Sequence, residues 1–234
     1  MNKLLVITGA SRGIGKATAK VFLKAGWRVL NIARRSCDLK EVLNLNVDLA
    51  NPQWSLLSQA ELLSTFGKPM QICLVHNSAN YQKDQVAHLD PSIFRSILEV
   101  NLVAPMILNR LIIPYMATGS AIIYMGSTLS EKAIANNASY VISKHASVGM
   151  MRATTQDLAK QQIHSCCICP GFTETEMLAK HTQNDPKIVE SLNARVGANR
   201  LIQPSEIANL VLFAANNPVL NGAVLHANLG QIEN

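Results

Sequence analysis

The hydrophobic residues of this chain fall into short continuous runs that alternate with longer segments of helical spacing. Such runs, bounded by turn-forming residues, are typical of strands buried on both faces of a sheet. They predict seven strands, at residues 3–9, 28–34, 42–49, 70–79, 120–127, 163–171 and 223–229. Helical spacing predicts helices at residues 14–25, 52–66, 138–161 and 204–216, and a long helix that begins at Pro91. Residues 172–203 are predicted to be irregular or helical.

The alternation of strands and helices predicts an α/β fold. Because parallel strands need crossover connections, this order favours a doubly wound parallel sheet of about seven strands with helices on both faces. No linker, repeat or low-complexity segment interrupts it, so we expect a single domain over residues 1–234. The link at residues 34–41 is shorter than the dozen or so residues of a usual crossover, which predicts a loop or a single turn there.

The composition narrows the classes of partner. Of the 234 residues, 48% are hydrophobic and 15% charged, and the formal charge is +6. The basic residues are scattered, which argues against nucleic acid. The five cysteines lack the spacing of a zinc site or a disulfide framework, so we expect buried thiols and no metal. No uninterrupted run reaches the ~18 apolar residues of a membrane span, and no signal peptide is recognisable, so we expect a cytoplasmic protein without a membrane partner.

A glycine-rich turn, "TGASRGIG" at residues 8–15, follows the first predicted strand and opens the first predicted helix. Gly9 permits a tight turn, Gly13 lets backbone approach a diphosphate, and Gly15 lets the helix pack close to the sheet. The amino end of the helix offers free N–H groups and a partial positive charge to phosphates. This context indicates a dinucleotide site, although glycines at this spacing also occur in turns of purely structural use.

A tyrosine and a lysine stand four positions apart in "SYVISKH". On a helix, Tyr140 and Lys144 therefore project from the same face. A phenol titrates near pH 10 in water, and a nearby ammonium favours the phenolate, so the pair could exchange a proton with a carbonyl or alcohol oxygen. Alone, this spacing is common on exposed helix faces, and its chemistry depends on partners elsewhere in the chain.

Those partners appear in a fixed order along the sequence. "TGASRGIG" matches TGxxxGxG, "HNSA" at residues 76–79 is a form of Asn-Asn-Ala-Gly, and Asn101, Ser127 and the YxxxK pair follow. Together these motifs resemble the short-chain dehydrogenase/reductase family along nearly the whole chain. The segments "PGFTETEM" and "RLIQPSEIA" are most similar to 3-oxoacyl-[acyl-carrier-protein] reductases. The resemblance implies a Rossmann-type fold and an enzyme that transfers hydride.

The resemblance also implies roles for particular residues. Tyr140 would be the general acid, Lys144 would assist it and bond the nicotinamide ribose, Ser127 would polarise the substrate oxygen, and Asn101 would hold a water that connects Lys144 to solvent. The catalytic set is Asn101, Ser127, Tyr140 and Lys144. The implied cofactor-binding residues are Gly9, Ser11, Arg12, Ile14, Arg34, Asp48, Leu49, Asn77, Ala79, Tyr140, Lys144, Pro170, Gly171, Thr173 and Thr175.

The end of the second strand favours NADP(H) over NAD(H). A carboxylate there would bond the ribose 2′-hydroxyl of NAD. This chain has Ala33 at that point, followed by Arg34 and Arg35, with Arg12 in the glycine turn. Guanidinium groups match a 2′-phosphate in geometry and charge, although exposed arginines can also be mere surface residues.

The sequence thus predicts an NADP(H)-dependent reductase of a ketone, with a 3-oxoacyl thioester as one candidate substrate and an acyl-carrier protein as one candidate partner. The alternative is a dinucleotide-binding sensor or scaffold without turnover. Residues 176–199 would form a flap over the substrate, within a substrate-loop region of about residues 172–200. The resemblance implies a homodimer or homotetramer. "LHANLGQ" departs from the family ending, because Leu229 replaces a Gly, and we expect altered packing there.

Overall fold

A computed structural model describes residues 3–232 and places seven strands in one parallel sheet. The first two and last two residues of the predicted domain lie outside this part. The strands are β1 (Lys3–Thr8), β2 (Arg28–Ala33), β3 (Val42–Asn46), β4 (Gln71–His76), β5 (Ala121–Met125), β6 (His164–Pro170) and β7 (Val224–Ala227). Their order is β3-β2-β1-β4-β5-β6-β7. The order reverses between β1 and β4, and such a switch point opens a crevice at the carboxyl ends of the strands.

Helices cover both faces of the sheet, which confirms the predicted single-domain α/β architecture. They are α1 (Gly13–Lys24), α2 (Trp54–Ser64), α3 (Pro91–Leu98), α4 (Ala104–Ile112), α5 (Ala138–Asp157), α6 (Glu176–His181), α7 (Pro186–Asn193) and α8 (Pro204–Ala215). Alternate residues of β1 enter two separate cores. Leu4 and Val6 pack with residues of α4 and α5, whereas Leu5 and Ile7 pack with residues of α1 and α8.

The long helix predicted from Pro91 is confirmed over Pro91–Tyr115, but its hydrogen-bonding pattern is not regular. Between α3 and α4 the backbone forms a π turn at Glu99–Val103, and Asn101 lies at its centre. The sequence did not indicate this π turn because apolar spacing continues through it. The helix that carries Tyr140 ends at Asp157, four residues before the predicted end at residue 161.

The segment Pro91–Tyr115 has a mean hydropathy of 1.5. Among residues 3–232 it is the one helical stretch long and apolar enough to cross a membrane by length and composition. The sequence did not predict it because charged residues interrupt its apolar run. Core helices of folded domains pass the same test. Here 39% of the most apolar part of the stretch is buried, and Ile97, Leu108 and Ile112 are fully buried within the fold.

The predicted loop between β2 and β3 is confirmed, and two asparagines hold it. The side-chain oxygen of Asn44 accepts from the Cys37 N–H at 2.8 Å and from Asn31 Nδ2 at 2.9 Å. The fully buried Asn31 uses its own Oδ1 to accept from the Ala10 N–H in the glycine turn, at 2.8 Å. The short crossover is therefore connected to the turn that it adjoins.

Candidate active site

A cavity of about 750 Å³ runs along the carboxyl edge of the sheet across the switch point. It is lined at one end by residues after β2 and β3 and at the other by residues of the β5 loop, α5 and the segment after β6. Apart from Asn101, which is buried behind it, all the predicted site residues line this cavity. The folded chain therefore brings together side chains that lie far apart in sequence.

The glycine turn has the geometry of a phosphate cradle. Gly9 and Gly13 have φ values of +75° and +53°, in the region that favours glycine. A Cβ at Gly15 would lie 2.2 Å from the carbonyl oxygen of Gly9, so only glycine allows the helix to approach this closely. The side chain of Asn77 donates to the carbonyl oxygens of Thr8 and Gly9, at 2.9 and 3.2 Å, and supports the turn from β4.

The amino end of α1 faces the cavity with its positive dipole end. Arg12 occupies the N-cap position and makes no side-chain capping bond within residues 3–232, and the first turn has no acidic residue. The backbone N–H groups of this turn are therefore available to an anion. The Arg12 guanidinium pairs with Glu176 on α6 and holds the pKa of that carboxyl below its usual value. Arg12 thus connects the glycine turn to the flap as well as lining the cavity.

The end of the cavity beside β2 and β3 is lined by Ala33, Arg34 and Arg35. The nearby Asp38 is engaged elsewhere, because Lys16 on α1 pairs with its carboxylate at 2.7 Å and lowers its pKa. Asp48 also lines the cavity, and its Oδ1 accepts from the Ala50 N–H at 3.1 Å. This end of the cavity therefore presents the exposed side chains of Arg34 and Arg35.

Tyr140 and Lys144 face the same cavity, as their spacing predicts. The Lys144 ammonium lies 5.4 Å from the centre of the Tyr140 ring. Only 4% of Lys144 is exposed, and its Nζ donates to the carbonyl oxygen of Met125 at 2.7 Å. That bond fixes the ammonium between α5 and the end of β5. A desolvated, immobile cation beside a phenol is suited to proton transfer.

Asn101, in the π turn, forms hydrogen bonds to two segments that border the cavity. Its Oδ1 accepts from the Asn80 N–H at 2.7 Å, and its Nδ2 donates to the Asn80 carbonyl at 3.0 Å and to Ser143 Oγ at 2.9 Å. These bonds connect the loop after β4 to α5 next to Lys144. A π turn that redirects a polar side chain is common at functional sites.

Ser127 lies two residues after the end of β5 and caps a short 3₁₀ turn at Thr128–Ser130. Its Oγ accepts from the Leu129 N–H at 3.1 Å, which leaves its hydroxyl hydrogen to donate elsewhere. The preceding Gly126 is required for packing, since a Cβ there would lie 2.7 Å from Cys169 Sγ. All five cysteines are free and buried, which confirms the predicted thiols.

The segment after β6 lines one side of the cavity and is held there by hydrogen bonds. Thr173 Oγ1 donates to the Gly171 carbonyl at 3.0 Å, and a bridge pairs Thr173 with Ile202. Thr175 caps α6 by accepting from the Leu178 N–H at 3.3 Å, while its methyl group faces Gly13. The predicted flap contains α6 and α7.

The family model described as enoyl-(acyl carrier protein) reductase matches residues 9–231 of this chain. The chain belongs to the short-chain dehydrogenase/reductase family. It is 27% identical to carbonyl reductase family member 4 of Xenopus laevis, over 96% of both chains. It is also 27% identical to the 3-oxoacyl-[acyl-carrier-protein] reductase FabG of Vibrio cholerae, over 97% of this chain and 96% of that protein.

Solved structures show the same fold. A protein of Beutenbergia cavernae, described as an NAD(P)-dependent gluconate 5-dehydrogenase with NADP bound at low occupancy, superposes with a TM-score of 0.85 at 26% identity, over 97% of this chain and 95% of the other. Solved neighbours bind NAD(P), with NADP in several and NADH in others. The nucleotide preference of this short-chain dehydrogenase/reductase must therefore be argued from its own residues.

Around the substrate end of the cavity in this short-chain dehydrogenase/reductase lie several residues that belong to no recognised motif. The Tyr81 ring lies 5.3 Å from that of Tyr140 and 3.9 Å from that of His181, whose pKa is lowered by burial. From the carboxyl terminus, Gln231 and Ile232 also line the cavity, and Gln231 pairs with Val196 beyond α7. Leu229, where the family has Gly, adopts a φ of +53° just before these residues. Among residues 3–232, no group of three His, Cys, Asp or Glu side chains could hold a metal ion.

Proposed function

We propose that this protein is an NADP(H)-dependent carbonyl reductase. The observation that carries the proposal is the Tyr140–Lys144 pair, set in one continuous cavity with the glycine turn. A turn whose glycines cannot accept a Cβ, at the free amino end of a helix, fits the diphosphate of a dinucleotide. The cavity extends from there to the phenol, as a nicotinamide cofactor would require.

The residues of this chain would bind, orient and protonate the substrate. The glycine turn would hold the diphosphate, Arg34 and Arg35 the 2′-phosphate, and the segment from Pro170 to Thr175 the nicotinamide end. When bound, the cofactor supplies the hydride. The hydroxyls of Ser127 and Tyr140 hold the carbonyl oxygen of the substrate, and Tyr140 gives that oxygen a proton as negative charge develops on it.

The surroundings of Tyr140 support this role. The ammonium of Lys144 stabilises negative charge on the phenol after the proton has left. Asn101 bonds the backbone of Asn80 and the side chain of Ser143, the residue before Lys144. Tyr81, His181 and the flap enclose the reacting atoms, and exclusion of water strengthens each of these interactions.

The proposed preference for NADP(H) over NAD(H) rests on the charged side chains at the end of β2. Ala33 offers no carboxylate at the end of β2, and Asp38 is paired with Lys16. Arg34 and Arg35 line the same end of the cavity. A phosphate there would gain charge-assisted bonds, whereas a bare 2′-hydroxyl would not.

The lining of the substrate end suits an apolar ketone, with a 3-oxoacyl thioester as a candidate. Leu129, Ile134, Met177, Ile188 and Leu192 line the cavity together with the cationic Lys83 and Arg195. An acyl chain would occupy the apolar part, and the phosphates of a coenzyme A or carrier-protein arm would suit the cations. Similarity to a reductase of this substrate class supports the same choice.

A panel of substrates tests the proposal directly. Purified protein is mixed with NADPH and, in turn, simple ketones, acetoacetyl-CoA and a 2-enoyl-CoA, and loss of NADPH absorbance is followed. We expect turnover of at least one ketone. Reduction of the enoyl thioester alone would assign a different reaction, and tight binding of NADPH without oxidation by any compound would favour the sensor or scaffold alternative.

A further inference from the structure

The helix that carries Tyr140 and Lys144 has no cap of its own. Asn137 occupies the N-cap position of α5 and makes no side-chain capping bond within the described chain, and its first turn contains no acidic residue. The first N–H groups of a helix need a partner when they are not open to water, and Ser139 is fully buried. The start of this helix therefore depends on a group from elsewhere in the fold.

Asp84, in the loop after β4, supplies that group. Its Oδ1 accepts from the Ser139 N–H at 3.1 Å, and its Oδ2 accepts from the Ser139 hydroxyl. The backbone pairs as well, since the Asp84 N–H donates to the Asn136 carbonyl at 3.1 Å, and a bridge joins Asp84 to Asn137. A carboxylate 55 residues earlier in the chain thus caps the turn immediately before Tyr140.

The loop that holds Asp84 is itself anchored to the rest of the site. At its other end, both backbone groups of Asn80 bond the side chain of Asn101. Between these anchors, the Tyr81 ring packs with its edge against the ring of Tyr140. The segment of residues 80–84 consequently spans from the π turn to the first turn of α5, on the side where Tyr140 faces the cavity.

We propose that Asp84 is a positioning residue for the proposed reaction, acting through Ser139 to hold the Tyr140 hydroxyl at the reacting atoms. Lys144 lies one turn further along α5 and is held independently by Met125. Loss of the Asp84 carboxylate would loosen Tyr140 relative to an ammonium that stays in place. A displacement of about 1 Å at a reacting group can lower a rate by ~10²-fold. This inference rests on the proposed function, and the test below separates the two.

The test compares Asp84→Ala with a matched control, Asp90→Ala. Asp90 also caps a helix, α3, since its Oδ1 accepts from the N–H groups of Ser92 and Ile93 at 2.7 and 3.1 Å, but neither partner lies on the helix that carries Tyr140. Both variants should lose stability, Asp90→Ala by roughly 2–4 °C in Tm as expected for a lost exposed cap, and Asp84→Ala by at least as much because Ser139 is buried. Only Asp84→Ala should also lower kcat, by roughly 10- to 100-fold with little change in KM for NADPH, when measured with the best ketone of the panel.

Two further readouts distinguish positioning from a loss of stability alone. Asp84→Asn, which keeps one oxygen for the Ser139 N–H, should restore most of kcat. In a Tyr140→Phe background, Asp84→Ala should lower the residual rate no further.

Hydrogen exchange of the full-length protein bound to NADP⁺ provides a readout that does not need turnover. Peptides covering residues 138–141 should exchange faster in Asp84→Ala than in Asp90→Ala. Equal exchange there, or wild-type kcat in Asp84→Ala, would overturn the positioning role while leaving the proposed reductase intact. If the wild type reduces no ketone, the proposed function fails, and the exchange measurement alone decides whether Asp84 holds Tyr140.

Discussion

At the scale of single residues, the proposed chemistry is carried by one phenol. Tyr140→Phe removes the hydroxyl and keeps the ring that packs against Tyr81. We expect kcat to fall by at least ~10²-fold, the usual contribution of a general acid, while Tm stays close to that of the wild type. Tyr115→Phe is the matched control, because Tyr115 stacks on Phe66 with ring centres 5.0 Å apart, away from the cavity. Near-normal turnover in Tyr140→Phe would refute the assignment.

The proposed preference for NADP(H) also depends on single side chains. Arg34→Ala should raise the Kd of NADPH by about 10- to 100-fold, the worth of charge-assisted bonds to a phosphate, and change that of NADH far less. Arg28→Ala removes an exposed arginine at the opposite end of β2 and should leave both affinities unchanged. Fluorescence titration with each nucleotide makes the comparison, and an equal loss for both in Arg34→Ala would contradict the phosphate assignment.

At the scale of elements, a buried polar network joins β4, α4, β5 and α5 beneath the site. His76 bonds Asn109 at 2.8 Å, Asn109 donates to the Tyr124 hydroxyl, and that hydroxyl pairs with Thr154 at 2.8 Å. Burial lowers the pKa of His76 from 6.5 to about 4. The unfolded chain therefore takes up a proton at a higher pH than the folded chain does.

This difference predicts acid sensitivity. Stability from His76 is fully present above pH 6.5 and is lost as the pH falls towards 4, by about 3 kcal/mol in all. His76→Gln, which can still donate to Asn109 but does not titrate, should flatten the pH dependence of the unfolding free energy in urea across this window. His88→Gln, at an exposed histidine, should leave the wild-type slope. An unchanged slope in His76→Gln would show that another group is responsible.

At the scale of the whole molecule, several helices keep apolar side chains at the surface. Ile93 on α3, Met106 on α4 and Ile142 on α5 are 40%, 48% and 44% exposed. Exposed apolar side chains on these helices favour association with a second copy, so a homodimer or homotetramer remains our prediction. Size-exclusion chromatography with light scattering at micromolar concentration tests it, and Ile142→Asp should shift the protein towards the monomer. A wild-type monomer would contradict it.

Local sequence determined the sheet, the glycine turn and the shared face of Tyr140 and Lys144. Apolar periodicity and glycine geometry act over a few residues, so they can be read directly from the chain. The predicted NADP(H) preference, catalytic roles and oligomer rest on such local motifs and on family resemblance.

Only the tertiary structure decided the π turn at Asn101, the capping of α5 by Asp84, the pairing of Arg12 with Glu176, and the walls formed by Tyr81, His181 and the carboxyl-terminal Gln231. Each of these depends on contacts between residues distant in sequence. No periodicity or turn preference encodes such a contact, because its free energy depends on where the rest of the fold places the partner.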